Sequence, residues 1–153
     1  MSRIIFEENC TPLSIYSEIL QNKIDNILGK IGISDEGITW IICTEDYLKS
    51  EHFKKQQFPL IFQYVMPPRY GRCSWKKEGG KIQNTIWIST AALHAEWKNT
   101  NSFTRIWFIR KKKRDLLADV IMDELAHIIT RKHHKTQIYN DTLKKYHEKY
   151  YDL

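Results

Sequence analysis

Cysteine is scarce in this 153-residue chain and poorly placed for cross-linking: Cys10, Cys43 and Cys73 are odd in number, far apart and free of any Cys-x-x-Cys pair. That pattern argues against a disulfide framework and against an all-cysteine zinc knuckle, and it points to the reducing cytoplasm. Long uncharged apolar runs are missing as well, so no transmembrane span is expected. The short apolar patch within Met1 to Cys10 is cut off by Glu7 and Glu8, which does not fit a signal peptide. Repeats, low-complexity tracts and an interdomain linker are absent. What is there is one domain's worth of chain, residues 1–153, with 42% apolar and 12% aromatic residues, enough to bury a core.

Charge is unbalanced. Lysine and arginine number 24 against 18 acidic residues, a formal net charge of +6. The unbroken run Arg110, Lys111, Lys112, Lys113 and Arg114 concentrates the excess. It has two readings, a solvated basic face or an attraction for nucleic acid or another acidic partner.

Periodicity places the elements. Leu13 to Leu28 carries apolar residues at helical spacing, with Pro12 near its start and Gly29 and Gly32 ending it. Ile38 to Cys43 reads as a buried strand. Thr44 to Gln57 is polar and helical in part, and Phe58 to Met66 is an apolar stretch interrupted by Pro67-Pro68. Tyr70 to Trp75 and Ile82 to Ser89 read as the arms of a hairpin, with Lys76 to Lys81 as its turn. Ala91 to Trp97 makes a short helix, and Phe103 to Arg110 is a strand or the approach to the next helix. A long helix capped by Asp115 runs to Thr130. A last helix, Gln137 to Tyr150, has Ile138, Leu143, Tyr146 and Tyr150 as its inner face.

The long helix carries the chemistry. Asp123 and His127 stand at i and i+4, on one face, where both can reach a single divalent ion. Glu124 lies about 100° round the helix, where its carboxylate can take a proton from a metal-bound water. Leu116, Leu117, Val120, Ile121, Leu125, Ile128 and Ile129 give the helix a wide apolar stripe. Two carboxylates and an imidazole in that setting need a reason. The plainer alternative makes Asp123 and Glu124 exposed carboxylates, His127 a satisfied core histidine, and His133 and His134 part of the basic surface. A third ligand from His134 or His133 requires the chain to turn back after Thr130, because a continued helix would carry His134 ~10 Å beyond His127. No glycine or proline forces that turn.

Four segments occur in a fixed order: Gly71-Arg72-Cys73-Ser74, Ile86-Trp87-Ile88-Ser89, Asp123-Glu124-Leu125-Ala126-His127, and His134 with Ile138-Tyr139. Over roughly residues 60–145 this order resembles the SprT-like and related small zincin metallopeptidases. The resemblance implies an α+β zincin-like single domain, with a small mixed or antiparallel sheet packed on an active-site helix and flanking helices. It implies Asp123, His127 and His134 as metal ligands, with His133 as the alternative third, and Glu124 as general base. The chain departs from the family at Asp123, which replaces an imidazole. An aspartate binds zinc, but its added negative charge makes bound water less acidic and brings manganese or another harder divalent ion into range. The glycine often found near the third histidine is also missing.

The function this implies is a metal-dependent peptidase acting on a peptide or protein substrate, with the edge of Ile82 to Ser89 pairing with an extended peptide. Some members of the family act on DNA-bound proteins, and the basic run fits a contact with DNA or another polyanion. The alternative is a catalytically degenerate zincin fold serving as a basic binding module. In that case Arg105, Arg110 to Arg114, Arg131, Lys132 and Lys135, with Trp107 and Phe108, form the surface. Neither reading involves a membrane.

Overall fold

Residues 3–48, 70–93, 115–132 and 136–152 are described by a computed structural model. Four strands pair in the order β1-β2-β4-β3: β1 (Arg3–Phe6), β2 (Ile38–Cys43), β3 (Gly71–Glu78) and β4 (Lys81–Ser89). β1 is parallel to β2 and β2 to β4, whereas β3 is antiparallel to β4. The sheet is therefore mixed, and the fold is α+β. A 3₁₀ segment (Glu8–Tyr16) and helix α1 (Ser17–Ile31) make the crossover that the parallel pair β1–β2 requires. Helices α2 (Leu116–Thr130) and α3 (Gln137–Tyr151) follow the hairpin.

β2, α2 and the Asp115 cap fall where the residue pattern puts them. Elsewhere the boundaries move. α1 begins at Ser17, four residues later than the apolar spacing suggests, because Pro12 sits inside the preceding 3₁₀ segment. It then runs through Gly29 to a left-handed cap at Gly32. β1 was only an apolar patch in the sequence, since four residues are too few to show alternation. Its register against β2, with Ile4 opposite Trp40, is what makes it a strand. The hairpin arms extend into the expected turn, leaving only Gly79-Gly80 between them. Both glycines have positive φ, 55° and 77°, as the tight two-residue hairpin turn demands.

The edge expected along Ile82 to Ser89 is not an edge. β4 pairs with β2 from Asn84 to Ser89 and with β3 from Lys81 to Ile88. Among the described residues the outer strand on that side is β3, which is the one antiparallel strand of the sheet.

Ile4, Trp40, Ile86 and Cys73 lie in one row across the four strands and so share a face. With Ile42 and Ile88 they join Ile24 and Ile27 of α1, Leu117, Ile121 and Leu125 of α2, and Tyr139, Tyr146 and Tyr150 of α3 in one core. Each fully buried aliphatic side chain there contributes about 1.5–3 kcal/mol. α2 lies at the centre, packed on β3, on β4 and on α3. On α3 the inner face differs by one residue from the expected one. Ile138 is 54% exposed, and Tyr139 is buried in its place. Tyr139, Tyr146 and Tyr150 are spaced by seven and four residues, a helical stripe that excludes Ile138.

Among the described residues, 45–48 after β2 and 90–93 after β4 are helical. The expectations for Phe58 to Met66, Pro67-Pro68 and Phe103 to Arg110 lie outside the described residues. Among the described residues, no helix is long and apolar enough to cross a membrane.

Candidate functional site

The two ends of α2 determine how its polar side chains are presented. At the N-terminus, the Asp115 side chain accepts from the Ala118 amide at 3.0 Å, a side-chain cap. At the C-terminus Arg131 adopts the left-handed conformation, with φ of 56°, and its amide donates to His127 O at 2.9 Å. For a residue with a Cβ that conformation costs roughly 1–2 kcal/mol. The Arg131 side chain offsets it by donating to Asn84 Oδ1 at 2.7 Å and lying 5.2 Å over the Trp75 ring. The helix thus stops at Thr130 and the chain turns back, without glycine, onto a third helix that packs against the second.

That turn orients His127. Its Nδ1 lies 2.8 Å from the carbonyl oxygen of Lys132. A carbonyl only accepts, so Nδ1 carries the proton and donates, and in the neutral ring the lone pair is on Nε2. A histidine held this way through one nitrogen has the tautomer that binds a metal through the other. His127 is buried, stacked on Tyr139 with centroids 4.4 Å apart and planes 20° from parallel. The Tyr139 hydroxyl donates to Asp123 Oδ1. Asp123 and His127 therefore share one face of α2 and meet one tyrosine of α3.

Glu124 faces a different neighbour. It is only 7% exposed, which removes the reading of a solvated helix carboxylate. Its carboxylate lies against β3, where a Cβ built on Gly71 would sit 3.3 Å from Glu124 Oε1 and 2.8 Å from Val120 Cγ1. The Cys73 thiol, two residues along, hydrogen-bonds to Glu124. Burial first, then the charge of Glu124 and that hydrogen bond, push this thiol well above the ordinary range, so it stays a neutral donor. Burial does the same at Cys43, raising it to about 12. Neither thiol is a ready nucleophile.

A second polar joint ties the helices together away from these residues. Lys23 of α1 pairs with Asp115 Oδ2, and Tyr150 Oη donates to the same oxygen at 2.9 Å. Burial alone would raise the Asp115 carboxyl, but hydrogen bonds from Lys23, the Ala118 amide and Tyr150 outweigh it and hold the group below its ordinary value. One turn along, Tyr151 donates to Asp119 Oδ1 at 2.6 Å.

Of the residues the sequence singled out, Asp123, Glu124 and His127 are brought onto one buried stretch of α2. His133, His134 and the basic run Arg110, Lys111, Lys112, Lys113 and Arg114 lie outside the described residues. Among the described residues no group of three potential ligands is close enough to hold a metal ion. Asp123 and His127, an oxygen and an imidazole nitrogen at i and i+4, fit as two ligands of a divalent ion such as zinc or manganese. Gly71, Cys73 and Tyr139 stand in the sequence motifs without an assigned role, and the structure gives each a contact with the polar residues of α2. No protein-family model matches the chain, and no curated protein matches it.

Proposed function

We propose that the chain is a cytoplasmic metal-dependent peptidase of the SprT-like zincin kind, acting on an extended stretch of a peptide or protein. The observation that carries this reading is the placing of Glu124. It is a buried carboxylate, one residue from Asp123 and three from His127, set against β3, the outer strand among the described residues. An extended peptide adding to β3 would lay its backbone along the strand that Glu124 touches. Asp123 and His127 supply two ligands of the metal, and His134, or His133, supplies the third. When bound, the ion polarises the scissile carbonyl and makes an attacking water more acidic. Glu124 accepts the proton of that water on its carboxylate and returns it to the leaving amine.

Elemental mass spectrometry on the purified chain, with a peptidase assay on unfolded casein, tests the proposal. Near one zinc or manganese per chain is expected, lost in the Asp123→Ala, His127→Ala double variant. Glu124→Gln should keep metal and fold while turnover falls by about 10²–10⁴-fold, the usual worth of a general base. A chain that takes up neither zinc nor manganese after reloading is not this kind of enzyme.

A further inference from the structure

Tyr139 touches both of the donors proposed above, and does so with two different parts of its side chain. Its hydroxyl donates to Asp123 Oδ1, and its ring lies 4.4 Å from the His127 ring at 20°. Tyr139 is only 2% exposed, so its ring and hydroxyl are largely shielded from solvent. An aspartate has a freely turning carboxylate, and a hydroxyl bonded to one of its oxygens stops that turning. A phenol also draws charge from the carboxylate without placing a cation beside a metal ion, as a lysine or arginine would. The stacked ring limits rotation of the imidazole, whose Nδ1 is already held 2.8 Å from Lys132 O.

We infer that Tyr139 is the positioning residue of a carboxylate–imidazole metal centre: its hydroxyl sets the Asp123 carboxylate while its ring sets the His127 imidazole. The inference rests on the peptidase reading for the presence of the ion, and it adds a role tied to the aspartate. Hydrogen-bonding partners of ligands commonly account for 10–100-fold of metal affinity. Here the partner of one ligand is also the stacking surface of the other. If position 123 were a histidine, the hydroxyl would have no carboxylate to hold.

The test is zinc and manganese affinity of the full chain, by competition with a chromophoric chelator, for Tyr139→Phe in the native and Asp123→His backgrounds. Tyr139→Phe keeps the ring and should weaken zinc binding about 10–100-fold, whereas in the Asp123→His background the same change should shift it less than about threefold. Equal affinity for native chain and Tyr139→Phe overturns the inference and leaves the peptidase reading standing. An equal loss in both backgrounds also overturns it, since that is the mark of general packing. A native chain that binds neither ion sinks both readings together. One measurement needs no variant: long-range ¹H–¹⁵N spectra of the metal-free chain. His127 should appear as a single Nδ1–H tautomer with ring protons displaced upfield by Tyr139. A tautomer- or rotamer-averaged imidazole would contradict the proposal.

Discussion

A hydrogen in place of a methyl group sets how closely β3 approaches α2. The Cβ of an alanine at 71 would lie 2.8 Å from Val120 Cγ1 and 3.3 Å from both Cγ and Oε1 of Glu124. Val120 is β-branched and nearly buried, with little freedom to move aside. Two effects of Gly71→Ala oppose each other. Alanine is favoured over glycine in a strand by roughly 0.5–1 kcal/mol, whereas overpacking a fitted core typically costs about 1–3 kcal/mol. The overpacking wins. Gly71→Ala should lower stability by about 1–2 kcal/mol in denaturant melts. On the proposed peptidase reading, turnover should fall further than the folded fraction, because Glu124 is among the groups the new Cβ displaces. An alanine variant as stable and as active as the native chain would mean that α2 and β3 tolerate a wider gap.

Between elements, Asp115 is a shared joint: it caps α2 while binding Lys23 of α1 and Tyr150 of α3. Its carboxyl is held below the ordinary value by those hydrogen bonds, against the effect of burial. A carboxyl depressed in the folded state contributes stability that is fully present above its unfolded value, about 3.9, and lost as pH falls through the folded value. Asparagine caps helices nearly as well as aspartate, so Asp115→Asn separates the charge from the cap. The variant should be about 1–2 kcal/mol less stable at pH 7, with the difference closing in acid as pH falls through the depressed folded value. Asp115→Ala should lose about 1 kcal/mol more at either pH. A pH-independent deficit for Asp115→Asn would place the loss in packing. This cap was legible in the sequence, as were β2, the hairpin and the length of α2, because each depends on neighbours within a few residues. β1 was not, since its strand character comes from a partner at Ile38 to Cys43. The turn at Arg131 was not legible either, because Asn84 and Trp75, the residues that hold it, lie about fifty positions upstream. The same distance explains the site. Asp123, Glu124 and His127 stand out in a single helix, while Gly71, Cys73 and Tyr139 gain their meaning only when β3 and α3 close on α2.

Over the whole molecule the formal net charge of +6 acts independently of the residues on α2. Five successive basic residues, 110–114, precede the cap of the central helix in sequence. A run of that density neutralises phosphates and reads no bases, so any association with DNA should be sequence-independent and governed by counterion release. Each neutralised phosphate contributes a slope of about −0.9 to the dependence of log affinity on log salt. Lys111→Glu with Lys112→Glu should therefore make the slope for duplex DNA shallower by about two and weaken binding at least tenfold at low salt. Glu124→Gln should leave the same titration unchanged. That pair of results separates the two readings: a peptidase with a basic DNA-contacting run loses turnover in one variant and DNA affinity in the other. A binding module would show the DNA effect with no turnover to lose. An unchanged salt slope in the charge-reversed variant would return the basic run to an ordinary solvated surface.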